Sequence, residues 1–180
     1  MPSVLSHVSE SDFRLSGRLL DWTPPRWFRL WMLWATRLGD GWIWLAAGVV
    51  LTAGDRERRR VLAAAAVSAG LANLALVLLK GRVRRPRPCD LAPPRRSDVK
   101  PLLYFSADRY SFPSGHSLNA FAIGSVLALS FPLVAAPLVL LAASVAASRM
   151  VLGLHFLSDV LAGAALGALI GGSVYLVLLG

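Results

Sequence analysis

The stretch VLAAAAVSAGLANLALVLL, residues 61–79, contains no charged side chain. A helix needs about 20 apolar residues to cross the hydrocarbon core of a bilayer, which is about 30 Å thick. In a helix that rises 1.5 Å per residue, this run covers most of that distance. Residues 61–79 therefore predict a membrane-spanning helix.

Two further stretches lack charged residues, the 39 residues at 110–148 and the 21 residues at 160–180. The segment SFPLVAAP, residues 130–137, predicts a turn inside the longer one, which then supplies two crossings. The chain of 180 residues is 56% hydrophobic, with a mean hydropathy of +0.58 and only 16% charged residues, whereas soluble domains carry about 25%. These numbers indicate a helical membrane protein.

The N-terminal part is less regular. Residues 41–54, GWIWLAAGVVLTAG, are short for a crossing, and we expect their helix to extend back towards Leu38. Upstream, residues 13–38 mix Trp with Arg, a pattern typical of an amphipathic segment at the headgroup level. We expect an all-α polytopic transmembrane bundle of about five to six membrane helices. It forms a single domain, residues 1–180, in which residues 1–38 are an interfacial segment.

Positive charge is concentrated in one connection. The net charge is +9, and nine of the 19 Lys and Arg residues lie between Lys80 and Arg109, in a Pro- and Arg-rich loop at residues 81–109. No nucleic-acid-binding motif accompanies this patch, so we expect no nucleic-acid partner. Two interpretations stay open for the patch alone: a cytoplasmic topological anchor, or a site for an anionic substrate.

Three clusters of polar residues favour the site. They are Lys80, Arg87 and Pro88; Pro113, Ser114, Gly115 and His116; and Ser148, Arg149, His155 and Asp159. An even number of predicted crossings separates each cluster from the next. Topology therefore predicts that all three lie at the same face of the membrane.

The third cluster contains an imidazole and a carboxylate. His155 and Asp159 are four residues apart, so on a helix they share a face. A carboxylate beside an imidazole fixes its tautomer and makes the other ring nitrogen a better base or nucleophile. A His–Asp pair that merely closes a helix end is the alternative. Ionisable groups near a bilayer are costly, however, and tend to be functional.

The second cluster opens a helix. The first amides of a helix that begins after Pro113 lack internal partners and favour an anion, and Gly115 allows a ligand oxygen close to the backbone. Ser114 as a plain N-cap is the alternative, and it leaves only His116 unexplained. The cations Lys80, Arg87 and Arg149 can then surround a phosphoryl group. Together these groups predict phosphoryl transfer by positioning and charge stabilisation.

The motifs K-x6-RP, PSGH and SR-x5-H-x3-D, in this order within residues 80–159, resemble the three signature blocks of the type 2 phosphatidic acid phosphatase (PAP2) family. All eleven defining positions are present. The resemblance extends to the acid phosphatases and vanadium haloperoxidases that share this site. An isolated PSGH is a weak signal, but the ordered set is specific.

The resemblance implies a role for each residue. His155 attacks phosphorus and forms a phosphohistidine, Asp159 orients His155, and His116 protonates the leaving oxygen and then activates water. The phosphoryl oxygens are held by Lys80, Arg87, Ser114, Gly115 and Arg149. No metal or other cofactor is expected.

The expected substrate is a lipid phosphate or pyrophosphate, such as undecaprenyl pyrophosphate, phosphatidylglycerophosphate or phosphatidic acid. The sequence leaves a lipid phosphotransferase and a non-catalytic lipid-binding or transport protein open as alternatives. The hydropathy disfavours a haloperoxidase, since those enzymes are usually soluble. We expect a multi-pass protein of the inner membrane whose site opens to the periplasmic or extracellular face. The count of 15 cations on the site face against four on the other opposes that orientation.

Overall fold

A computed structural model describes residues 10–91 and 110–180 of the chain, and the regular structure of these residues is helical. The helices are α1 (Glu10–Asp21), α2 (Arg26–Leu38), α3 (Trp42–Thr52), α4 (Arg56–Val83), α5 (Pro88–Leu91), α6 (Gly115–Ser130), α7 (Ala135–Val151) and α8 (Leu157–Leu178), with a 3-10 turn at Pro132–Val134. The prediction of an all-α fold is confirmed. Residues 1–9 of the predicted interfacial segment and residues 92–109 of the predicted basic loop lie outside the described residues.

Three described segments are long and apolar enough to cross a membrane: Arg56–Leu91, Pro132–Val151 and Leu157–Leu178. Two shorter helices, α3 with 11 residues and α6 with 16, complete the apolar part. At 1.5 Å per residue they measure about 16 and 24 Å. The membrane character of the chain agrees with the sequence, and the total of five to six crossings stays a prediction.

Helix α6 lies at the centre of the bundle. Its Leu118, Ala122 and Val126 are buried against α4 and α8. Large apolar side chains on the outer helices are exposed instead, among them Val77 on α4 and Val177 on α8. An exposed apolar surface of this kind suits contact with lipid rather than with water.

A line of glycines allows α8 to pack closely on α6. A Cβ added at Gly163 would lie 2.6 Å from the carbonyl oxygen of Ser114, and at Gly167 and Gly171 it would collide with backbone carbonyls of α6. Small residues at a spacing of four let two helix backbones approach within a membrane. This packing brings the start of α8 against the start of α6.

The N-terminal region differs from the prediction in one respect. The helix at residues 41–54 does not extend back to Leu38, because a turn at 39–41 separates α2 from α3. Gly41 there has a φ of +105°, a conformation that side chains with a Cβ rarely adopt.

Helix α2 is amphipathic, as the sequence predicted. Trp27, Trp31 and Trp34 are exposed along it, while Met32 and Ala35 are buried. Its position at the membrane interface stays a prediction.

Candidate active site

The three polar clusters meet at one end of the bundle. They lie at the ends of α4 and α7 and at the starts of α6 and α8. A cavity of about 640 Å³ opens between them. Five of the eight predicted site residues line it: Arg87, Gly115, His116, Arg149 and His155. The other three are buried and do not line the cavity: Lys80, Ser114 and Asp159.

His155 does not share a helix face with Asp159, contrary to the prediction. It lies in the turn before α8, which begins only at Leu157. Its Nδ1 is 2.7 Å from the carbonyl oxygen of Ser111 and 3.7 Å from Asp159 Oδ2. A carbonyl can only accept, so Nδ1 carries the proton and Nε2 keeps its lone pair.

The environment keeps the His155 ring neutral. Burial is the main cause that lowers the pKa of His155 to about 3, and the positive charges of Arg149 and Arg87 act in the same direction. The nearby Asp159 opposes them without reversing the shift. An uncharged imidazole with an available Nε2 is the form that a nucleophile or base requires.

Asp159 has further partners besides His155. Its Oδ1 lies 2.5 Å from Arg85 Nη1, and its Oδ2 accepts the backbone N–H of Phe156 at 2.8 Å. Arg85 also pairs with Asp12 of α1 at 2.9 Å. The carboxylate therefore fixes the start of α8, and with it the turn that carries His155.

His116 has a carboxylate partner that the sequence did not indicate. Its Nε2 is 2.8 Å from Oδ1 of Asp40, in the turn between α2 and α3. Burial and the charge of Arg149 lower the pKa of His116 to about 4, while Asp40 raises it. His116 is therefore neutral near pH 7 when the cavity holds no anion, with Nε2–H donated to Asp40.

The cations form a compact positive group. Arg149 donates from Nη1 to Thr36 Oγ1 at 2.5 Å, while its buried Nε–H has no acceptor among residues 10–91 and 110–180. Arg87 and Lys80 interact electrostatically with Arg149. Buried like charges need a counter-anion, and the cavity beside Arg87 and Arg149 is where one can bind.

Ser114 and Gly115 start α6 as the sequence predicted. Ser114 is the N-cap, and its Oγ accepts from the backbone N–H of Ser117 at 3.5 Å. Its own N–H donates to the Asp159 carbonyl at 3.0 Å. A Cβ at Gly115 would lie 2.9 Å from Leu76 Cδ2, so helix packing also requires the glycine.

Sequence reasoning missed four contributors to this site: Thr36, Asp40, Arg85 and Ser111. Ser111 acts through its backbone carbonyl, which leaves no signature in a sequence. Arg85 lies inside the basic run KGRVRRPRP, where nothing distinguishes it from its neighbours. Thr36 and Asp40 come from the N-terminal region, whose contact with the site depends on tertiary packing.

A family model described as the PAP2 superfamily matches residues 61–179. Decaprenylphosphoryl-5-phosphoribose phosphatase of Mycobacterium tuberculosis is 37% identical over 135 residues, which cover 73% of this chain and 69% of that protein. Phosphatidylglycerophosphatase B of Bacillus subtilis is 41% identical over 86 residues, which cover 42% of this chain and 41% of that protein.

Two solved structures are similar in fold. The crystal structure of a transmembrane PAP2-type phosphatidylglycerolphosphate phosphatase from Bacillus subtilis aligns over 97% of this chain and 85% of its own, with a TM-score of 0.70 and 27% identity. Aquifex aeolicus LpxE aligns over 90% and 91%, with a TM-score of 0.73 and 24% identity, and so supports the fold alone. With the family match and the identity to named phosphatases, this chain belongs to the PAP2 superfamily and is a membrane phosphatase.

Proposed function

We propose that this protein hydrolyses the phosphate or pyrophosphate headgroup of a lipid through a phosphohistidine on His155. One observation carries the proposal: two imidazoles, His116 and His155, line one cavity together with Arg87 and Arg149. The named substrates of the relatives, decaprenylphosphoryl-5-phosphoribose and phosphatidylglycerophosphate, are both lipid phosphates, which supports the same class here. The whole chain, residues 1–180, acts as a single domain in this proposal.

The first step uses the lone pair of His155 Nε2. It attacks phosphorus, an N–P bond forms, and the bond from phosphorus to the leaving oxygen breaks. The negative charge of the bound phosphate favours a protonated His116 ring. The imidazolium gives this proton to that oxygen, and the lipid leaves as an alcohol, or as a lipid phosphate from a pyrophosphate. During this step the backbone carbonyl of Ser111 accepts the hydrogen bond from His155 Nδ1–H. Asp159 stabilises the ring while the ring carries positive charge.

The second step returns the enzyme to its starting state. His116 removes a proton from water, the oxygen attacks phosphorus, and the N–P bond breaks to release inorganic phosphate. Arg87 and Arg149, assisted by Lys80, stabilise the negative charge on the phosphoryl oxygens. Ser114 and Gly115 supply the start of α6 and its amides. We propose that the reaction requires no metal ion.

Labelling of the enzyme tests the intermediate. A lipid phosphate labelled at the terminal phosphorus should give an acid-labile, alkali-stable label on the protein after a rapid quench. His155→Gln should remove the label and lower phosphate release on the order of 10⁴-fold or more. The matched variant His116→Gln should form the label slowly and then retain it, because both the acid of the first step and the base of the second step are missing. A labelled His155→Gln protein, or unimpaired turnover, would refute the nucleophile.

The site faces the outer side of the membrane in our proposal, where a headgroup that arrives in the outer leaflet reaches the cavity directly. Several of the cations that weigh against this orientation lie at the site itself, where an anionic substrate accounts for them. Arg87 and Arg149 are examples.

A further inference from the structure

The cavity has a second polar group besides the phosphoryl site. The chain contains two asparagines, Asn73 and Asn119, and no glutamine. Both asparagines line the cavity, and their side chains bond to each other between α4 and α6. Asn119 lies three residues beyond His116, about 4.5 Å farther along the helix axis. The pair is therefore placed beside whatever is attached to the phosphoryl group.

The hydrogen bonds define which atoms the pair offers. Asn73 Nδ2 donates to the Ala69 carbonyl at 2.9 Å, and Asn119 Nδ2 donates to the Gly115 carbonyl at 3.2 Å. Since carbonyls only accept, these bonds fix the orientation of both amides. The second N–H of Asn73 Nδ2 donates to Asn119 Oδ1 at 3.4 Å, and the second N–H of Asn119 Nδ2 donates to Asn73 Oδ1 at 3.2 Å.

The donors of both amides are thus used, while each amide oxygen accepts a single bond among the described residues. A carboxamide oxygen has two acceptor positions. Asn73 and Asn119 therefore each keep one acceptor position and no donor. A group that completes them must donate a hydrogen bond, which a hydroxyl does and a phosphate ester oxygen does not.

Ser68 provides a comparison, since it is a buried polar contact between the same two helices. Ser68 lies on the same helix, is fully buried, and donates to the Ala122 carbonyl of α6 at 3.1 Å. Asn73 is exposed instead, within the charge-free run 61–79. A polar side chain open to a cavity at membrane depth is typical of a functional group.

We propose that Asn73 and Asn119 determine specificity by accepting a hydrogen bond from a free hydroxyl on the leaving group. This inference rests on the proposed function and narrows its substrates to lipid phosphates whose leaving alcohol carries a hydroxyl near the ester oxygen. A glycerol or a sugar between the phosphate and the lipid tail has that chemistry.

Two matched substrates test the proposal: an alkyl glycerol phosphate with a free hydroxyl, and the alkoxypropyl phosphate that lacks only this hydroxyl. The wild type should prefer the hydroxylated substrate in kcat/KM by about fivefold or more, as expected for one hydrogen bond. Asn73→Leu and Asn119→Leu should each bring that ratio towards one. Ser68→Ala, which removes a polar contact between the same helices away from the cavity, should keep the wild-type ratio.

A wild-type protein with a ratio near one, or an Asn73→Leu variant that keeps the wild-type ratio, would overturn the inference while leaving the phosphatase intact. Asn73 is exposed, so Asn73→Leu leaves the core in place and decides the question even where Asn119→Leu fails to fold. The absence of phosphate release from both substrates by the wild type would instead refute the proposed function itself.

Discussion

At the scale of single residues, the two histidines differ in what holds them. His155 bonds to the backbone carbonyl of Ser111, which is neutral and accepts only, so its ring is fixed in one tautomer with Nε2 available. His116 bonds to the carboxylate of Asp40, which favours the protonated ring. The difference suits one histidine to attack and the other to exchange a proton.

Asp40 gives a prediction at this scale. His116 lies outside the three candidate spans, and the pKa of His116 should fall in Asp40→Asn, since the carboxylate that raises it is lost. In a plot of kcat against pH, the inflection that reports His116 should then move to lower pH. The value of kcat itself should fall about tenfold to a hundredfold. The measurement is kcat against pH for a lipid phosphate in detergent.

Asp40→Glu is the control, because it keeps the charge and should restore much of the rate and the wild-type profile. A rate that drops in Asp40→Asn with no movement of the profile would argue for a merely structural Asp40.

At the scale of secondary-structure elements, the contact between α6 and α8 determines whether the site forms. The glycine line on α8 brings Ser114 N–H within 3.0 Å of the Asp159 carbonyl. The ion pair between Arg85 and Asp159 then attaches the end of α4 to the same point. The turn that carries His155 therefore depends on close helix packing.

Two glycines of α8 test this dependence. Gly167→Ala places a Cβ against the carbonyl of Leu118, so α8 must move away from α6, at a cost of about 1–3 kcal/mol. We expect a lower thermal unfolding midpoint in detergent and reduced phosphate release. Gly172→Ala is the matched control, since its Cβ meets nothing within 4 Å and alanine favours a helix. Equal midpoints for the two variants would contradict the close-packing account.

At the scale of the whole molecule, the positions of the charges and of the site bear on the orientation in the membrane. The site is at the end of the bundle where α4 and α7 finish, and Arg56, Arg58, Arg59 and Arg60 stand at the opposite end, where α4 begins. The positive-inside tendency and an outward-facing phosphatase site oppose each other here.

Single cysteines in a Cys89→Ser background decide the orientation. Gly81→Cys reports the site end, where an added Cβ meets nothing within 4 Å. Leu133→Cys reports the other end, where the side chain is 99% exposed. With a membrane-impermeant maleimide and intact cells, we expect Gly81→Cys to react and Leu133→Cys to react only after permeabilisation. The reverse pattern would place the site in the cytoplasm.

The sequence by itself determined the helical class, the motif residues and the start of α6. Charge-free runs and the Pro-Ser-Gly signal are local, and hydropathy and capping act over one helix or one turn. The turn at residues 130–137 was predicted for the same reason, and α6 ends and α7 begins there. The shared end of the bundle followed from counting crossings, which needs no side-chain geometry.

Only the tertiary structure decided which atoms meet. The carboxylate partner of His116, Asp40, lies 76 residues away in the chain, and Arg149 meets Thr36 across 113 residues. His155 lies in the turn before α8 and not in the helix that its spacing from Asp159 suggested, and Asp159 also binds Arg85 and the Phe156 N–H. Hydrogen bonds require atoms within about 3 Å, and such proximity between distant segments arises from packing, which local sequence patterns do not encode.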